Sequence, residues 1–182
     1  TMLMDEGMDT GDILLRTELE VMEEDTAGDL HDKMLEPGGR LVVETLRRMI
    51  AGKLTPQRQD HAGATYTKTL AKDDGWIDWT PAAIYLDRFV RAMNPWPVAQ
   101  CVLGEQTVKV WRAVPATGKG QVGMILDVTR DGIAVGTGDG ILIVQDVQAP
   151  GKKRIAAVEF ARGRRLKKGD SFMLASNPAK PK

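Results

Sequence analysis

AQCVLGEQTVKVWRAVPATGKGQVGMILDVTRDGIAVGTGDGILIVQDV, residues 99 to 147, shifts the hydrophobic period of this chain to two. Apolar and polar positions alternate in five short runs, Ala99 to Leu103, Thr107 to Trp111, Gly123 to Val128, Ile133 to Val135 and Ile141 to Val147, as strands with one buried face do. Gly104-Glu105, Arg130-Asp131-Gly132 and Asp139-Gly140 punctuate them, and the last two signal tight turns because glycine tolerates positive φ. Farther on, Ile155 to Ala161 reads as a short helix and Phe172-Met173-Leu174 as a closing strand before a Pro/Lys tail. Short, evenly punctuated strands predict a small, partly open five-stranded β-barrel, OB-like in kind.

Upstream of the strands, Thr80-Pro81 is a helix start, with Ile84, Leu86, Phe89, Val90 and Met93 as its apolar face and Asn94-Pro95-Trp96-Pro97 as its end. Residues 53 to 74 lack sustained periodicity and are rich in Lys, Thr, Gln and Asp, which marks a linker. Before it, Ile13 to Val21 alternates like a half-buried strand. A helix capped by Asp25 or Thr26 follows, with Leu30, Met34 and Leu35 as its stripe, and Pro37-Gly38-Gly39 is expected to stop it. A second helix is expected from about Arg40 to Ala51, burying Leu41, Val42, Leu46, Met49 and Ile50 and ending at Gly52. One strand and two helices cannot enclose a core, so this part reads as an α/β remnant. The expected boundaries are 1–52 for the remnant, 53–74 for the linker and 75–182 for the barrel.

No stretch approaches the roughly 20 apolar residues of a membrane helix, and the single Cys101 forms no internal disulfide. No basic-then-apolar export signal opens the chain, so a cytoplasmic location is the expectation. The formal net charge of +0 hides an uneven distribution. Residues 1 to 74 hold 9 basic and 16 acidic groups, whereas residues 150 to 182 hold 10 basic groups and 2 acids, which makes the C-terminal segment the candidate for an anionic partner.

Met4-Asp5-Glu6-Gly7-Met8-Asp9-Thr10-Gly11-Asp12 gathers four acids and two glycines in one loop. An Asp on such a loop can orient a histidine or accept hydrogen bonds from a substrate; it is also an ordinary turn residue. The spacing does not suit a calcium loop, and no metal is expected. His31 and His61 stand beside no nucleophile. Gly136 to Gly140 reads as a hairpin turn, and Gly151-Lys152-Lys153 lacks the upstream glycine and Ser/Thr of a P-loop. Trp76, Trp79, Trp96 and Trp111 read as packing anchors more readily than as base-stacking platforms. Arg162, Arg164, Arg165, Lys167 and Lys168, with Lys152, Lys153 and Arg154, are candidates for phosphate contact, with Lys68, Lys72, Arg88 and Arg91 behind them.

Met4 to Asp12, the ATYTKTLAKDDGWIDW run from Ala64 to Trp79 and RAMNPWP from Arg91 to Pro97 together resemble methionyl-tRNA formyltransferases in order and spacing. The resemblance implies a doubly wound catalytic domain that binds 10-formyltetrahydrofolate, of which residues 1–52 would be the last strand and helices, then a linker and a tRNA-contacting barrel. It implies catalysis by an Asn, a His and an Asp, the last matching Asp9, with Asp5, Glu6, Gly7 and Met8 lining the pterin pocket. The Asn and His cannot be located, and the chain is expected to be a C-terminal piece that is inactive by itself. Initiator methionyl-tRNA is the expected partner, with self-association through residues 1–51 and no membrane contact. A nucleotide-sugar formyltransferase and a non-catalytic RNA-binding barrel module are the rival readings.

Overall fold

Thr26 opens the first helix by a reciprocal cap: its hydroxyl accepts from the Asp29 backbone amide at 3.2 Å, and the Asp29 carboxylate accepts from the Thr26 amide at 3.0 Å. The computed structural model describes residues 1–173, divided into two units, Thr1–Thr69 and Leu70–Lys182. In the first unit, helix α1 runs without interruption over Ala27–Ile50. The expected break at Pro37-Gly38-Gly39 is therefore corrected. A proline in a helix interior removes one donor and crowds the carbonyl one turn back, yet α1 continues through Pro37, with an exposed Glu36–Arg40 ion pair spanning that turn. Gly52, with φ 65°, ends it as expected.

Two further expectations fail in this unit. Val42, Leu46, Met49 and Ile50 are exposed, and Thr45 is the one buried residue of α1. Ile13 to Val21 is not a strand: Ile13 alone pairs, with Met2 on one side and Gln57 on the other. Alternation specifies which side chains an extended segment would bury, but a ladder needs partner strands, and beyond Ile13 the described residues supply none.

The second unit begins with helix α2, Ala83–Ala92. Its N-terminus has no side-chain cap; the Ala83 amide instead donates to the Asp139 carbonyl at 2.8 Å. Gly138 donates to the carbonyls of Trp79 and Pro81, both at 3.1 Å, and a Cβ on it would sit 1.7 Å from the Thr80 carbonyl oxygen. The turn from Gly136 to Gly140 is thus a hairpin that seats the start of α2.

Strands β1 Ala99–Leu103, β2 Gln106–Ala116, β3 Ile125–Thr129, β4 Gly132–Gly136 and β5 Ile141–Gln148 coincide with the five predicted runs, β2 extending farther. The predicted helix from Ile155 is corrected: Ile155–Ala156 form β6, paired with Val147 and Asp146 of β5, before helix α3 takes over at Ala157–Arg164. Phe172–Met173 form β7, while Leu174 and the Pro/Lys tail lie outside the described residues.

Every strand ladder is antiparallel, in the order β3-β4-β5-β2-β1-β7 with β6 beside β5. The described residues form seven strands, not five, and their paired sheet is open rather than a closed barrel. Its two ends nevertheless approach: Ile125 donates to Asp170 at 2.7 Å, Gly169 to Ile125 at 2.9 Å and Phe172 to Gly123 at 2.8 Å, all through the backbone. The apolar faces of β1, β2, β4 and β5 enclose Val108, Val110, Val135 and Leu142, and Leu86 and Val90 of α2 cover them.

Candidate functional site

The acidic loop is closed at its base by the backbone. Leu3 donates to the Asp12 carbonyl and Leu14 to that of Thr1, each at 2.9 Å. Gly11 is buried there, and any Cβ on it would lie 1.8 Å from the Leu3 carbonyl oxygen, so only glycine fits. The Thr1 and Thr45 hydroxyls, 2.8 Å apart, tie this base to α1. Ile13 and Gln57 then exchange both backbone hydrogen bonds at 2.8 Å, so a segment read as a plain linker is a structural neighbour of the loop.

Inside the loop, the Asp5 carboxylate turns inward. Its Oδ1 accepts from the Gly7 amide at 3.0 Å and from the Thr10 hydroxyl. Asp9 adopts φ 57°, a left-handed conformation that Asp tolerates better than most residues, and it stands exposed at the tip. Glu6, Gly7 and Met8 are exposed beside it, Met8 at 88%. The result is a solvent-facing carboxylate next to an exposed apolar side chain. Gln59, which has no motif to mark it, donates its side-chain amide to the carbonyls of Asp9 at 2.9 Å and Gly11 at 2.7 Å.

The basic candidates separate into engaged and unengaged groups. Arg91 pairs with Asp87 at 3.0 Å, largely buried. Arg154 pairs with Asp146 at 2.6 Å and lies 5.6 Å over the Trp111 ring. Trp111 itself sits at a bulge in β2 opposite β5. Arg164 bonds Gln106 and stacks 5.4 Å from Phe160. By contrast Arg88, Lys152, Lys153, Arg162, Arg165, Lys167 and Lys168 are exposed and make no ion pair among the described residues. Lys152 and Lys153 precede β6 and α3, while Arg162 to Lys168 gather at the far end of α3. Eight helical residues set the two groups about 12 Å apart along the axis. Lys68 lies exposed in the first unit and Lys72 exposed in the second.

Of the four tryptophans, Trp79 is fully buried, whereas Trp96 is 56% exposed and so anchors less than its setting suggests. Among the described residues no helix is long and apolar enough to cross a membrane, and no group of three or more His, Cys, Asp or Glu is placed to hold a metal ion.

The family described as "Formyl transferase, C-terminal domain" matches residues 69–165, and that described as "Formyl transferase" matches residues 1–46. The chain is 41% identical over 169 residues to a methionyl-tRNA formyltransferase of Citrifermentans bemidjiense, an alignment covering 93% of this chain and 53% of that one. It spans about half the length of the curated relatives it matches. Among solved structures, HypX from Aquifex aeolicus in complex with tetrahydrofolic acid is similar with a TM-score of 0.65 and 18% identity, over 88% of this chain and 29% of that one. An N-formyltransferase from Helicobacter canadensis, in complex with folinic acid and dTDP-3-aminofucose, has a TM-score of 0.62 and 18% identity, over 81% of this chain and 54% of that one. At such identity the likeness concerns the fold.

Proposed function

We propose, for a chain that belongs to the formyl transferase family, that it serves a methionyl-tRNA formyltransferase, moving a formyl group from 10-formyltetrahydrofolate to the amino group of methionyl initiator tRNA in the cytoplasm. The observation that carries this reading is the glycine-locked loop that holds Asp9 exposed at its tip. The sequence similarity to a protein of that name supports the choice of tRNA over an amino sugar. In this reading residues 1–52 end the catalytic domain, 53–74 link it, and 75–182 form the tRNA-contacting domain. There the backbone bonds between Gly123 or Ile125 and residues 169–172 draw the two ends of the open sheet together in a partly open, OB-like barrel.

The methionyl amine attacks the formyl carbon, a C–N bond forms and the carbonyl becomes a tetrahedral oxyanion. Collapse breaks the bond to N10 of the folate, and the proton released by the amine passes to that nitrogen. Exposed Asp5, Glu6, Gly7 and Met8 border the pterin, the peptide groups supplying hydrogen bonds and Met8 an apolar contact. The Asp9 carboxylate keeps the catalytic imidazole charged and oriented, so that the imidazolium and an asparagine amide stabilise the oxyanion. These 182 residues contain no Asn-x-His pair, and a polypeptide made of them alone is inactive, because groups that act as a unit do not contribute independently. The unengaged residues Lys152, Lys153, Arg162, Arg165, Lys167 and Lys168 bind the tRNA backbone, with Lys68, Lys72 and Arg88 adding to the path. The exposed apolar residues of α1 make the isolated 182-residue chain self-associate, which a concentration-independent monomer in size-exclusion chromatography contradicts.

The test is formyl transfer by the full-length protein that carries this chain. Methionylated initiator tRNA is expected to be formylated, and Asp9→Asn to lower kcat by at least about a hundredfold, as loss of one member of a catalytic unit does. Formylation of a dTDP-amino sugar without formylation of tRNA overturns the reading in favour of a sugar enzyme. Tight tRNA binding without any transfer overturns it in favour of a binding module.

A further inference from the structure

Gln59 sits two residues beyond Gln57, whose backbone is paired reciprocally with Ile13. Continued in antiparallel register, Gln59 falls opposite Gly11, yet Ile13–Gln57 is an isolated bridge and the ladder does not go on. The Gln59 side chain takes its place. One amide nitrogen carries two hydrogens, and both are used, on the carbonyls of Asp9 at 2.9 Å and Gly11 at 2.7 Å. Those carbonyls belong to the Asp9–Thr10 and Gly11–Asp12 peptides, so together they hold the chain on either side of the Thr10–Gly11 peptide and with it the left-handed turn at Asp9.

Among the described residues, no other hydrogen bond holds the Asp9 backbone from outside the loop. Asp5 braces Gly7 and Thr10 from within, and the Leu3–Asp12 pairing fixes only the base. We propose that Gln59 is a positioning residue for Asp9: it clamps the two carbonyls so that the Asp9 carboxylate is presented in one orientation. The proposal rests on the catalytic reading of Asp9. It also gives the segment after α1 a task in the reaction, because the clamp is delivered from a stretch whose sequence looks like a spacer.

The clamp demands a double donor. Gln59→Glu keeps the shape but sets a carboxylate against two carbonyl oxygens, and Gln59→Met keeps the length without any donor. Both variants are made in the full-length protein and assayed with 10-formyltetrahydrofolate and methionylated initiator tRNA. Since displacing a catalytic group by about 1 Å can cost about a hundredfold, kcat is expected to fall by about 10- to 100-fold, Glu being the worse. KM for both substrates should stay within about twofold, and the melting temperature should hold, because the interaction orients a reacting group and binds neither substrate. Gln57→Met, which removes only the side-chain contact of Gln57 to Arg16, is the control and should retain wild-type kcat. Wild-type kcat in Gln59→Met, or a loss carried by KM or by the melting temperature alone, overturns the proposal. A wild-type protein that formylates nothing sinks the catalytic reading itself, an outcome separate from these.

Discussion

Trp79 lies flat on Phe172, with ring centroids 5.7 Å apart and planes 16° from parallel, so a residue from the segment before α2 is stacked on the strand that ends the described sheet. Both rings are buried, and Phe172 is held in place by its own backbone bond to Gly123. Trp79→Ala should therefore leave a cavity in a wall that cannot collapse, destabilising the protein by about 3–5 kcal/mol. The Trp79 indole nitrogen is buried without a partner among the described residues, a state that itself costs about 1–3 kcal/mol. Trp79→Phe removes that donor along with part of the ring, and should cost much less than alanine. Urea unfolding of the three proteins decides it; equal losses for Phe and Ala would contradict the stacking argument.

Cys101 is fully buried in β1, its thiol donating weakly to the Val108 carbonyl at 3.7 Å. Burial pushes the thiol far above its ordinary range, which suppresses the nucleophilic thiolate. Cys101 should resist iodoacetamide in the folded protein at about pH 8 and react fully once urea is added. Stoichiometric labelling before unfolding would show that the sheet opens where the packing says it is closed.

The strands could be read from the sequence because their signals are local: alternation in Ile141 to Val147 and the glycine turns need no knowledge of the partner. What escaped was set by distant contacts. Ile155 and Ala156 look like the first turn of α3, and only the free edge of β5 beyond Val144 turns them into a strand. Pro37 reads as a stop because its own effect is local, whereas the continuity of α1 comes from the bonds around it. At the candidate site, the motif marks Asp9, but Gln59 acts across about fifty positions and carries no pattern a reader of the chain would single out. Charge counting likewise puts Arg91 and Arg88 together, although Asp87 engages one and not the other.

The start of α1 should respond to acid. The Lys33 ammonium and then the Met22 amide hold the Asp25 carboxyl below the ordinary aspartate range, and the Thr26 hydroxyl and backbone do the same for Asp29. A depressed folded-state value means that the contribution is complete above the unfolded value of about 3.9 and is lost as pH falls through the folded one. Asp29 is exposed and Asp25 only half-buried, both at the start of one helix, so the effect is local fraying rather than global unfolding. NMR Cα shifts of residues 26 to 30 should move toward coil values between about pH 4 and about pH 2, and Asp29→Asn should flatten that change. Shifts that stay helical throughout would remove the cap from the account.

The division of the basic residues predicts which of them a polyanion feels. Arg165, Lys167 and Lys168 are exposed at the end of α3 without ion pairs among the described residues, while Arg91 is held by Asp87 at 3.0 Å with most of its side chain covered. Each phosphate neutralised contributes about −0.7 to −0.9 to the slope of log K against log salt, because bound counterions are released. Replacing Arg165, Lys167 and Lys168 together by alanine should then flatten the slope for initiator tRNA by about two units between about 50 and about 300 mM salt. Arg91→Ala removes the same kind of charge from a site already neutralised by Asp87, and should alter the slope by less than about half a unit. Fluorescence anisotropy of labelled tRNA measures both. If Arg91→Ala flattens the slope as much as the triple replacement does, the phosphate path runs along α2 instead of the end of α3, and the ion pair with Asp87 must open when RNA binds.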